Sequence, residues 1–276
     1  MSSLQGKVAI CTGSGRKEGL GQGILKRLAA DGAAVVVTDI GRTEGVLSAD
    51  NVGASEEMEA IAQELRDAGA KAITVACDVR DEAQIDRLIE TTVSEFGRLD
   101  IMVNNAGVGY MMQPLEEVTA ENWRLVIDIN LTGAFLCTKA AAIQMRKQGD
   151  GGRIVNIASQ AAKSGFPHLP AYVASKHGMV GLTRATAVEL AKDQITVNAV
   201  CPNHVTTGLG AKQNEYFARY RGVTVEEYRA GLRQRIPLGR VGLVEDTANA
   251  TAFLCSDDAS YITGEAMNVS GGEEMH

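Results

Sequence analysis

The 276-residue sequence has little proline, few aromatic residues and no excess of positive charge. With only 5 prolines it is neither a proline-rich linker nor a collagen-like chain. Because aromatics make up 4% and the net charge is −7, it offers neither stacking platforms nor a phosphate-neutralising surface, so we expect no nucleic-acid partner. Glycine, in contrast, is abundant: there are 30, where average usage would give about 19.

The sequence also lacks paired cysteines, a leader and a long apolar run. Its 5 cysteines are widely spaced within apolar segments, which favours buried, reduced thiols in a cytoplasmic protein. The N-terminus has no basic and apolar leader, and no stretch reaches the roughly 18 apolar residues of a membrane span. No His, Cys and Asp spacing is typical of a metal site. We therefore expect a cytoplasmic protein without a membrane partner or a metal.

Apolar runs of strand length alternate with segments of helical periodicity. The predicted strands are 8–12, 34–39, 72–79, 99–107, 153–159, 195–202 and 265–272. The predicted helices are 22–31, 55–68, 82–96, 121–147, 171–192, 226–233 and 245–256. Continuous runs rich in Val and Ile that alternate with helices predict an α/β fold: a Rossmann-type, doubly wound parallel sheet of about seven strands. We expect one domain over 1–276.

Two predicted connections are unusually long. The segments 40–54 and 203–225 exceed the roughly 2–6 residues of ordinary loops in such folds. The second follows a predicted strand, at the edge where open parallel sheets bind ligands. We therefore expect a substrate loop at about 203–236.

A glycine cluster, TGSGRKEGLGQG at 12–23, separates the first predicted strand from the first predicted helix. Its spacing does not match G-x-G-x-x-G. Glycines nevertheless let a backbone approach a pyrophosphate, whose charge is then stabilised by the N–H groups at the start of a helix. The alternative is a purely structural turn, and the strand-loop-helix context favours nucleotide binding.

Asp39 suggests which dinucleotide binds. It lies 18 positions after Gly21, close to the roughly 20 expected for an acid that binds a ribose 2′-hydroxyl. A carboxylate there repels a 2′-phosphate and favours NAD over NADP. Arg16, Lys17 and Arg42 could supply the opposite charge, so NADP remains the second candidate.

Tyr172 and Lys176 are candidates for acid–base chemistry. They are one helical turn apart, so both side chains project from one face. An ammonium near a phenol favours the phenolate and lowers its pKa toward the working range of a general acid/base. Ser159 ends the preceding predicted strand and can donate a hydrogen bond to a carbonyl oxygen.

These residues and their surroundings resemble the short-chain dehydrogenase/reductase family from about Lys7 to Gly272. The family's Tyr-x-x-x-Lys motif matches Tyr172-Val-Ala-Ser-Lys176, and its serine matches Ser159, thirteen residues upstream. The other matching positions are the N-N-A-G motif at 104–107, Asn130, Asp78 and Pro202. The chain departs from the family in its glycine loop, where five residues rather than three separate T-G from G-x-G.

The resemblance implies a mechanism. Tyr172 would exchange a proton with a substrate hydroxyl or carbonyl while hydride passes between substrate and nicotinamide. Lys176 would hold the nicotinamide ribose and lower the pKa of Tyr172, and Ser159 would bind the substrate oxygen. Asn130 would order a water that links Lys176 to solvent. We therefore expect an NAD-dependent dehydrogenase acting on a secondary alcohol or the matching ketone.

The expected binding residues follow from these motifs. The cofactor residues are Gly13, Gly15, Gly19, Leu20, Gly21, Asp39, Ile40, Asp78, Val79, Asn105, Ala106, Gly107, Tyr172, Lys176, Pro202, Val205 and Thr207. The substrate residues are Ser159, Gln160, Tyr110, His168 and His204. The basic stretch 212–235 has two explanations. Its arginines and lysines either bind an anionic substrate or, as we favour, form ion pairs with acidic residues of the same helix, for example Arg229 with Glu226.

Two other functions remain open. One is an NADP-dependent carbonyl or 3-oxoacyl-type reductase, and the other is a nucleotide-sensing protein that has lost the chemistry. The intact set of Asn130, Ser159, Tyr172 and Lys176 speaks against the sensor. Long predicted helices with small residues are compatible with a homo-oligomer, a tetramer or a dimer.

Overall fold

The computed structural model describes residues 4–42, 53–109, 112–205 and 207–276. The strands in these ranges are β1 (Val8–Thr12), β2 (Ala34–Asp39), β3 (Ala72–Ala76), β4 (Ile101–Asn104), β5 (Gly152–Ile157), β6 (Ile195–Pro202) and β7 (Ala266–Val269). They form one seven-stranded sheet in the order β3-β2-β1-β4-β5-β6-β7, and every neighbouring pair is parallel. The predicted doubly wound α/β fold is confirmed.

Helices cover both faces of the sheet. They are α1 (Leu20–Ala30), α2 (Ser55–Asp67), α3 (Glu82–Phe96), α4 (Ala120–Ile127), α5 (Gly133–Gln148), α6 (Pro170–Leu190), α7 (Gly208–Arg221), α8 (Val225–Arg235) and α9 (Val244–Cys255). Ile24 of α1 and Leu254 of α9 belong to the core on one face. Leu88 of α3, Cys137 of α5 and Ala187 of α6 belong to the core on the other. Every residue of β1 and β6 is buried, as expected of strands covered on both sides.

The strand order reverses direction at β1, which lies between β2 and β4. In open parallel sheets, the connections on either side of such a point diverge and leave a crevice at the carboxyl ends of the strands. The predicted strands 72–79 and 99–107 end earlier in the structure, at Ala76 and Asn104, because the residues that follow them turn into the wall of this crevice.

The prediction that 203–225 forms one long connection is wrong, because most of it is helix α7. Thr207 caps the helix by accepting from the Gly210 N–H (3.4 Å), and Gly222 ends it with a φ of 67°. Phe217 and Ala218 are buried by this helix. The sequence does not predict α7, because glycines and polar residues dominate the first turns of this helix.

The predicted helix 121–147 is interrupted. Between α4 and α5, residues Asp128–Thr132 form one π-helical turn. Such turns insert an extra residue and often lie at functional sites. Here the turn contains Asn130, whose side chain is completely buried.

By length and composition alone, one helical run among the described residues could cross a membrane, namely Ala120–Gln148. The sequence did not predict this, because charged residues interrupt its apolar stretches. Half of its most apolar 18-residue window is buried inside the protein. The run packs against α3, α6, β4 and β5, which is the position of a core helix.

Candidate active site

A cleft of about 950 Å³ lies at the carboxyl edge of the sheet. The predicted site residues that line it are Gly13, Gly19, Leu20, Gly21, Asp39, Ile40, Asp78, Val79, Asn105, Ala106, Gly107, Ser159, Gln160, Tyr172, Lys176, Pro202, His204, Val205 and Thr207. Three others, Gly15, Asn130 and His168, are not part of its lining. Tyr110 lies outside the described residues.

The glycine loop forms one end of the cleft and requires glycine for close packing. Gly13 has a φ of +65°, and a Cβ built there would lie 2.7 Å from Cα of Ala106. A Cβ on Gly21 would lie 2.6 Å from the Gly13 oxygen. Helix α1 starts at Leu20 after Gly19, which has no side chain to cap it. The first N–H groups of α1 therefore have no side-chain cap and lie at the cleft, as in sites that bind phosphate.

The two additional residues of this loop are held by neighbouring elements. The Lys17 N–H donates to Glu57 of α2 (2.7 Å), and its ammonium lies 3.2 Å from a Glu64 oxygen. Glu18 has a φ of 58°, and its N–H donates to the Gln22 side chain (2.7 Å). The lengthened loop is thus anchored on α1 and α2.

Asp39, at the end of β2, joins the glycine loop to the sheet. Its carboxylate accepts from the N–H groups of Gly15 (3.2 Å) and Ile40 (2.9 Å). Burial raises the pKa of Asp39, although these N–H groups and the nearby Arg16 act in the opposite direction. Within the described part of the chain, the buried Nε of Arg16 has no hydrogen-bond partner. Gly15 thus supports Asp39 and does not itself face the cleft.

The N-N-A-G motif forms the floor of the cleft. The Asn105 amide donates to the carbonyl oxygens of Thr12 (2.9 Å) and Gly13 (3.0 Å), which fixes the glycine loop to the end of β4. Nearby, the Asp78 carboxylate binds the Arg80 guanidinium. Burial alone would raise the pKa of Asp78, but the hydrogen bonds from Arg80 hold it below its ordinary value.

Ser159, Tyr172 and Lys176 meet in the middle of the cleft. Ser159 follows β5, and Tyr172 and Lys176 lie in the first turns of α6, which Pro170 starts. Tyr172 and Ser159 form a side-chain hydrogen bond. The Lys176 Nζ lies 5.6 Å from the centre of the Tyr172 ring and donates to the Ile157 carbonyl oxygen (2.7 Å).

The electrostatics of this group differ from what the sequence predicts. Burial raises the pKa of Tyr172, and the hydrogen bond to Ser159 opposes this only in part. Burial also lowers the pKa of Lys176, from 10.5 to about 8. The lowering of the Tyr172 pKa that the spacing of the two residues predicts is thus not seen in this structure, because desolvation is the largest influence on the phenol.

Asn130 lies behind the floor of the cleft. Its amide oxygen accepts from the Val108 N–H (2.8 Å), and its amide nitrogen donates to the Val108 carbonyl (2.9 Å) and the Ser175 hydroxyl (3.1 Å). A Cβ built on Gly107 would lie 3.3 Å from the Asn130 oxygen and 3.6 Å from the Lys176 Nζ. Asn130 therefore holds the floor residues against the turn that carries Lys176.

The structure separates the two histidines predicted to meet substrate. His204 lines the cleft after β6, and burial lowers its pKa. His168 has a φ of 64°, and its Nδ1 lies 2.7 Å from the Tyr216 hydroxyl. Its ring also contacts Tyr220 of α7, and His168 is not part of the lining of the cleft, so its contact with substrate stays a prediction.

Sequence reasoning missed Glu273, which lines the cleft from the C-terminal tail. The Asn203 amide donates to its carboxylate (3.0 Å), and Arg235 lies 3.5 Å away. The only sequence signal for this position was the pair Gly271-Gly272, which predicts a turn. In the structure these glycines have φ values of 63° and 91° and turn the chain back after β7.

A parallel α/β sheet with a glycine loop before an uncapped helix, and a serine, a tyrosine and a lysine at the same edge, defines a nucleotide-dependent oxidoreductase. The comparisons with known proteins agree. A family model described as enoyl-(acyl carrier protein) reductase matches residues 13–274. The chain belongs to the short-chain dehydrogenase/reductase family, whose members use NAD(P) and act on small molecules.

Relatives with different activities match the whole chain. It is 38% identical over 276 residues to 3-oxoacyl-[acyl-carrier-protein] reductase of Synechocystis sp., covering 100% of both chains. It is 35% identical over 272 residues to galactitol 2-dehydrogenase of Agrobacterium fabrum, covering 99% of each. The crystal structure of levodione reductase matches with a TM-score of 0.86 at 33% identity, covering 98% of each chain.

Proposed function

We propose that this protein is an NAD-dependent dehydrogenase that interconverts a secondary alcohol and its ketone, with Tyr172 as general acid/base. The observation that carries the proposal is the meeting of Ser159, Tyr172 and Lys176 in the cleft that also holds the glycine loop. Each element is common alone, but acid–base groups beside a dinucleotide cradle are what hydride transfer to or from a carbonyl carbon requires.

Three side chains of the cleft have different roles toward the substrate oxygen. The Ser159 hydroxyl hydrogen-bonds that oxygen and orients it. Tyr172 donates a proton to it during ketone reduction and removes one during alcohol oxidation. Lys176, anchored on Ile157, lies near the phenol and, when charged, favours the phenolate.

The residues present fit a dinucleotide. The uncapped start of α1 and the close-packed Gly13 and Gly21 suit a pyrophosphate, Asp39 suits a ribose, and Lys176 and Pro202 lie where the nicotinamide half would extend. When bound, this cofactor accepts or supplies the hydride at its nicotinamide ring.

Asp39 is the basis for proposing NAD. Its carboxylate lines the cleft at the end of β2, where it repels a 2′-phosphate and accepts from a ribose hydroxyl. Arg16 favours NADP instead. It lines the same end of the cleft as Asp39, and its buried Nε has no hydrogen-bond partner in the described part of the chain. A guanidinium there supports the second candidate, an NADP-dependent carbonyl or 3-oxoacyl-type reductase. The Synechocystis relative is named a 3-oxoacyl-[acyl-carrier-protein] reductase.

The test is steady-state kinetics with both cofactors. Polyols, sugars, hydroxy acids and cyclic alcohols are screened at 340 nm, the absorbance of the reduced nicotinamide. We expect turnover with a kcat/KM for NAD above that for NADP, and Asp39→Asn to narrow the difference. Equal or better kcat/KM with NADP contradicts the NAD proposal. Tight NAD binding without turnover of any alcohol or ketone supports the nucleotide sensor instead.

A further inference from the structure

Positive side chains gather at the far end of the cleft. Arg221 of α7 and Arg229 and Arg235 of α8 line it together with Ser159 and Tyr172. The whole chain has a net charge of −7, so this concentration of guanidinium groups runs against its overall charge. The sequence left two explanations open, pairing along the helices or an anionic ligand.

Of the helix pairing that the sequence predicts, the structure shows one pair within α8, Glu226 with Arg233, but not Glu226 with Arg229. Glu226 binds Arg233 (2.8 Å) rather than Arg229, although the charge of Arg229 still acts on it. Arg221 lies over the Tyr228 ring, 5.3 Å from its centre. Among the described residues, neither Arg221 nor Arg229 has a carboxylate within ion-pair distance, which leaves both guanidinium groups free to bind an anion.

The third arginine is only partly neutralised. Arg235 lies 3.5 Å from one oxygen of Glu273, while Asn203 donates to the other oxygen (3.0 Å). One carboxylate therefore faces an arginine, an amide and, 3.9 Å away, the Nε2 of His204. After burial, the charges of Arg235 and Arg221 both lower the pKa of the neighbouring His204, against the effect of Glu273. Arg235 and Arg221 are therefore both close enough to act on His204, which lines the cleft.

The wall between the two ends is apolar. Leu169, Phe217, Tyr228 and Val241 line the cleft and form one cluster with one another. A ligand that spans the cleft would thus meet hydroxyl groups at Ser159 and Tyr172, then carbon and aromatic surface, and finally guanidinium groups.

We propose that Arg221, Arg229 and Arg235 form a subsite for the anionic group of the substrate, a carboxylate or a phosphate separated by an apolar segment from the carbon that reacts. Guanidinium groups suit both anions because their donor pairs match two acceptor oxygens. The inference rests on the proposed dehydrogenase function and deepens it, since it assigns the substrate class.

The first experiment compares charged and neutral members of matched substrate pairs. Hydroxy acids are assayed against their methyl esters, and sugar or polyol phosphates against the free polyols, with NAD saturating. We expect kcat/KM to be at least about tenfold higher for the anionic member of one series, a factor that corresponds to about 1.4 kcal/mol. The series that shows the preference distinguishes a carboxylate from a phosphate. The preference also decreases with added salt.

The second experiment removes the charges. In Arg221→Gln/Arg229→Gln, we expect the anionic-to-neutral ratio of kcat/KM to fall toward one, mainly through a higher KM for the anionic substrate. Arg233→Gln is the matched control, because Arg233 lies on the same helix as Arg229, pairs with Glu226 and does not line the cleft. That control retains the wild-type ratio.

A direct binding measurement keeps the inference testable without turnover. Inorganic phosphate is titrated calorimetrically into the protein saturated with NAD, so that the cofactor site is occupied. We expect wild type and Arg233→Gln to bind it and Arg221→Gln/Arg229→Gln to lose at least about tenfold in affinity. Equal kinetics for charged and neutral substrates, or unchanged phosphate affinity in the double variant, overturns the subsite but leaves the dehydrogenase proposal intact. Absence of any turnover with NAD or NADP instead removes the proposed function.

Discussion

At the scale of single residues, the site combines groups whose protonation states are set by burial. Tyr172 and Lys176 share one turn of α6, yet desolvation shifts the pKa of the phenol upward and that of the amine downward. Both shifts favour the neutral forms. Ionising either side chain in the cleft therefore costs free energy, until contacts with substrate and cofactor compensate for the lost hydration.

Tyr172→Phe tests the central residue. We expect kcat to fall by at least about 100-fold, because the proton donor and acceptor is removed. Dinucleotide affinity, measured by calorimetry, should stay near the wild-type value, since the ring remains in place. Tyr261→Phe is the control, as Tyr261 is fully exposed on the surface. Near-wild-type kcat in Tyr172→Phe would exclude the assigned role.

The pH dependence follows from the raised pKa of Tyr172. The protonated phenol, needed for ketone reduction, predominates at neutral pH, whereas alcohol oxidation requires the phenolate. We expect kcat/KM for oxidation to rise with pH above neutrality, while that for reduction stays level because the phenol keeps its proton below its raised pKa. Initial rates in both directions between pH 6 and about 10 measure this. Identical profiles for the two directions would contradict it.

Lys176 makes folding stability depend on pH. Its pKa is about 8 in the folded protein and 10.5 ordinarily, so between these values the unfolded chain binds a proton that the folded protein has released. Rising pH in this interval therefore stabilises wild type relative to Lys176→Met, by at most about 1.4 kcal/mol per pH unit. Below pH 8 both states are protonated and the difference stays constant.

Urea unfolding of both proteins at pH 7, 8, 9 and about 9.5 measures this difference. The same substitution at the exposed Lys192 controls for the loss of a surface lysine. A stability difference that does not change over the whole range would show that the Lys176 amine does not titrate in this way.

At the scale of elements, the glycine loop and the start of α1 pack so closely that Gly21 has no room for a side chain. A Cβ on Gly21 would lie 2.6 Å from the Gly13 oxygen and 2.7 Å from the Asn105 amide nitrogen. These distances are shorter than van der Waals contact, so the loop must shift to accept even a methyl group.

We expect Gly21→Ala to lower the free energy of unfolding by about 1–3 kcal/mol and to weaken dinucleotide binding. Gly231→Ala, inside α8, is the matched control. The nearest atom to its added Cβ lies 4.0 Å away, and we expect a gain of about 0.5–1 kcal/mol from helix propensity. Denaturation and calorimetric titration provide both readouts. Unchanged nucleotide affinity in Gly21→Ala would separate this glycine from the cofactor site.

At the scale of the whole molecule, the surface and the thiols bear on assembly and location. All five cysteines are free and buried, as the sequence predicted. The cytoplasmic location that the sequence predicts stays a prediction. Apolar side chains on α5 and α6 are exposed, among them Ile143 (59%) and Val188 (82%).

We propose that these helices mediate a homo-oligomer, a tetramer or a dimer, because contact with a second copy would remove these exposed apolar side chains from water. Light scattering should give a multiple of 29.2 kDa. In Ile143→Glu/Val188→Glu the mass should shift toward 29.2 kDa, while Ser94→Glu on the exposed face of α3 should not change it. A monomeric wild type at micromolar concentration contradicts the proposal.

The sequence by itself determined the layers of the fold and most of the candidate site. Strands β2 and β6 have the bounds that their apolar runs predicted, since continuous burial on two faces leaves a local pattern. The positions of Asp39, Ser159 and Tyr172 at one edge followed as well, because the carboxyl ends of parallel strands meet there.

Only the tertiary structure decided features that arise from packing between distant segments. Helix α7 forms although its sequence lacks apolar periodicity, because burial of Phe217 and Ala218 stabilises it. The Glu273 carboxylate reaches the cleft through a turn after β7, and the Glu226 carboxylate pairs with Arg233 rather than with Arg229. The spacing of residues along the chain does not show which of two arginines will pair with a given carboxylate. Their choice depends on distances across the fold, which local pattern does not contain.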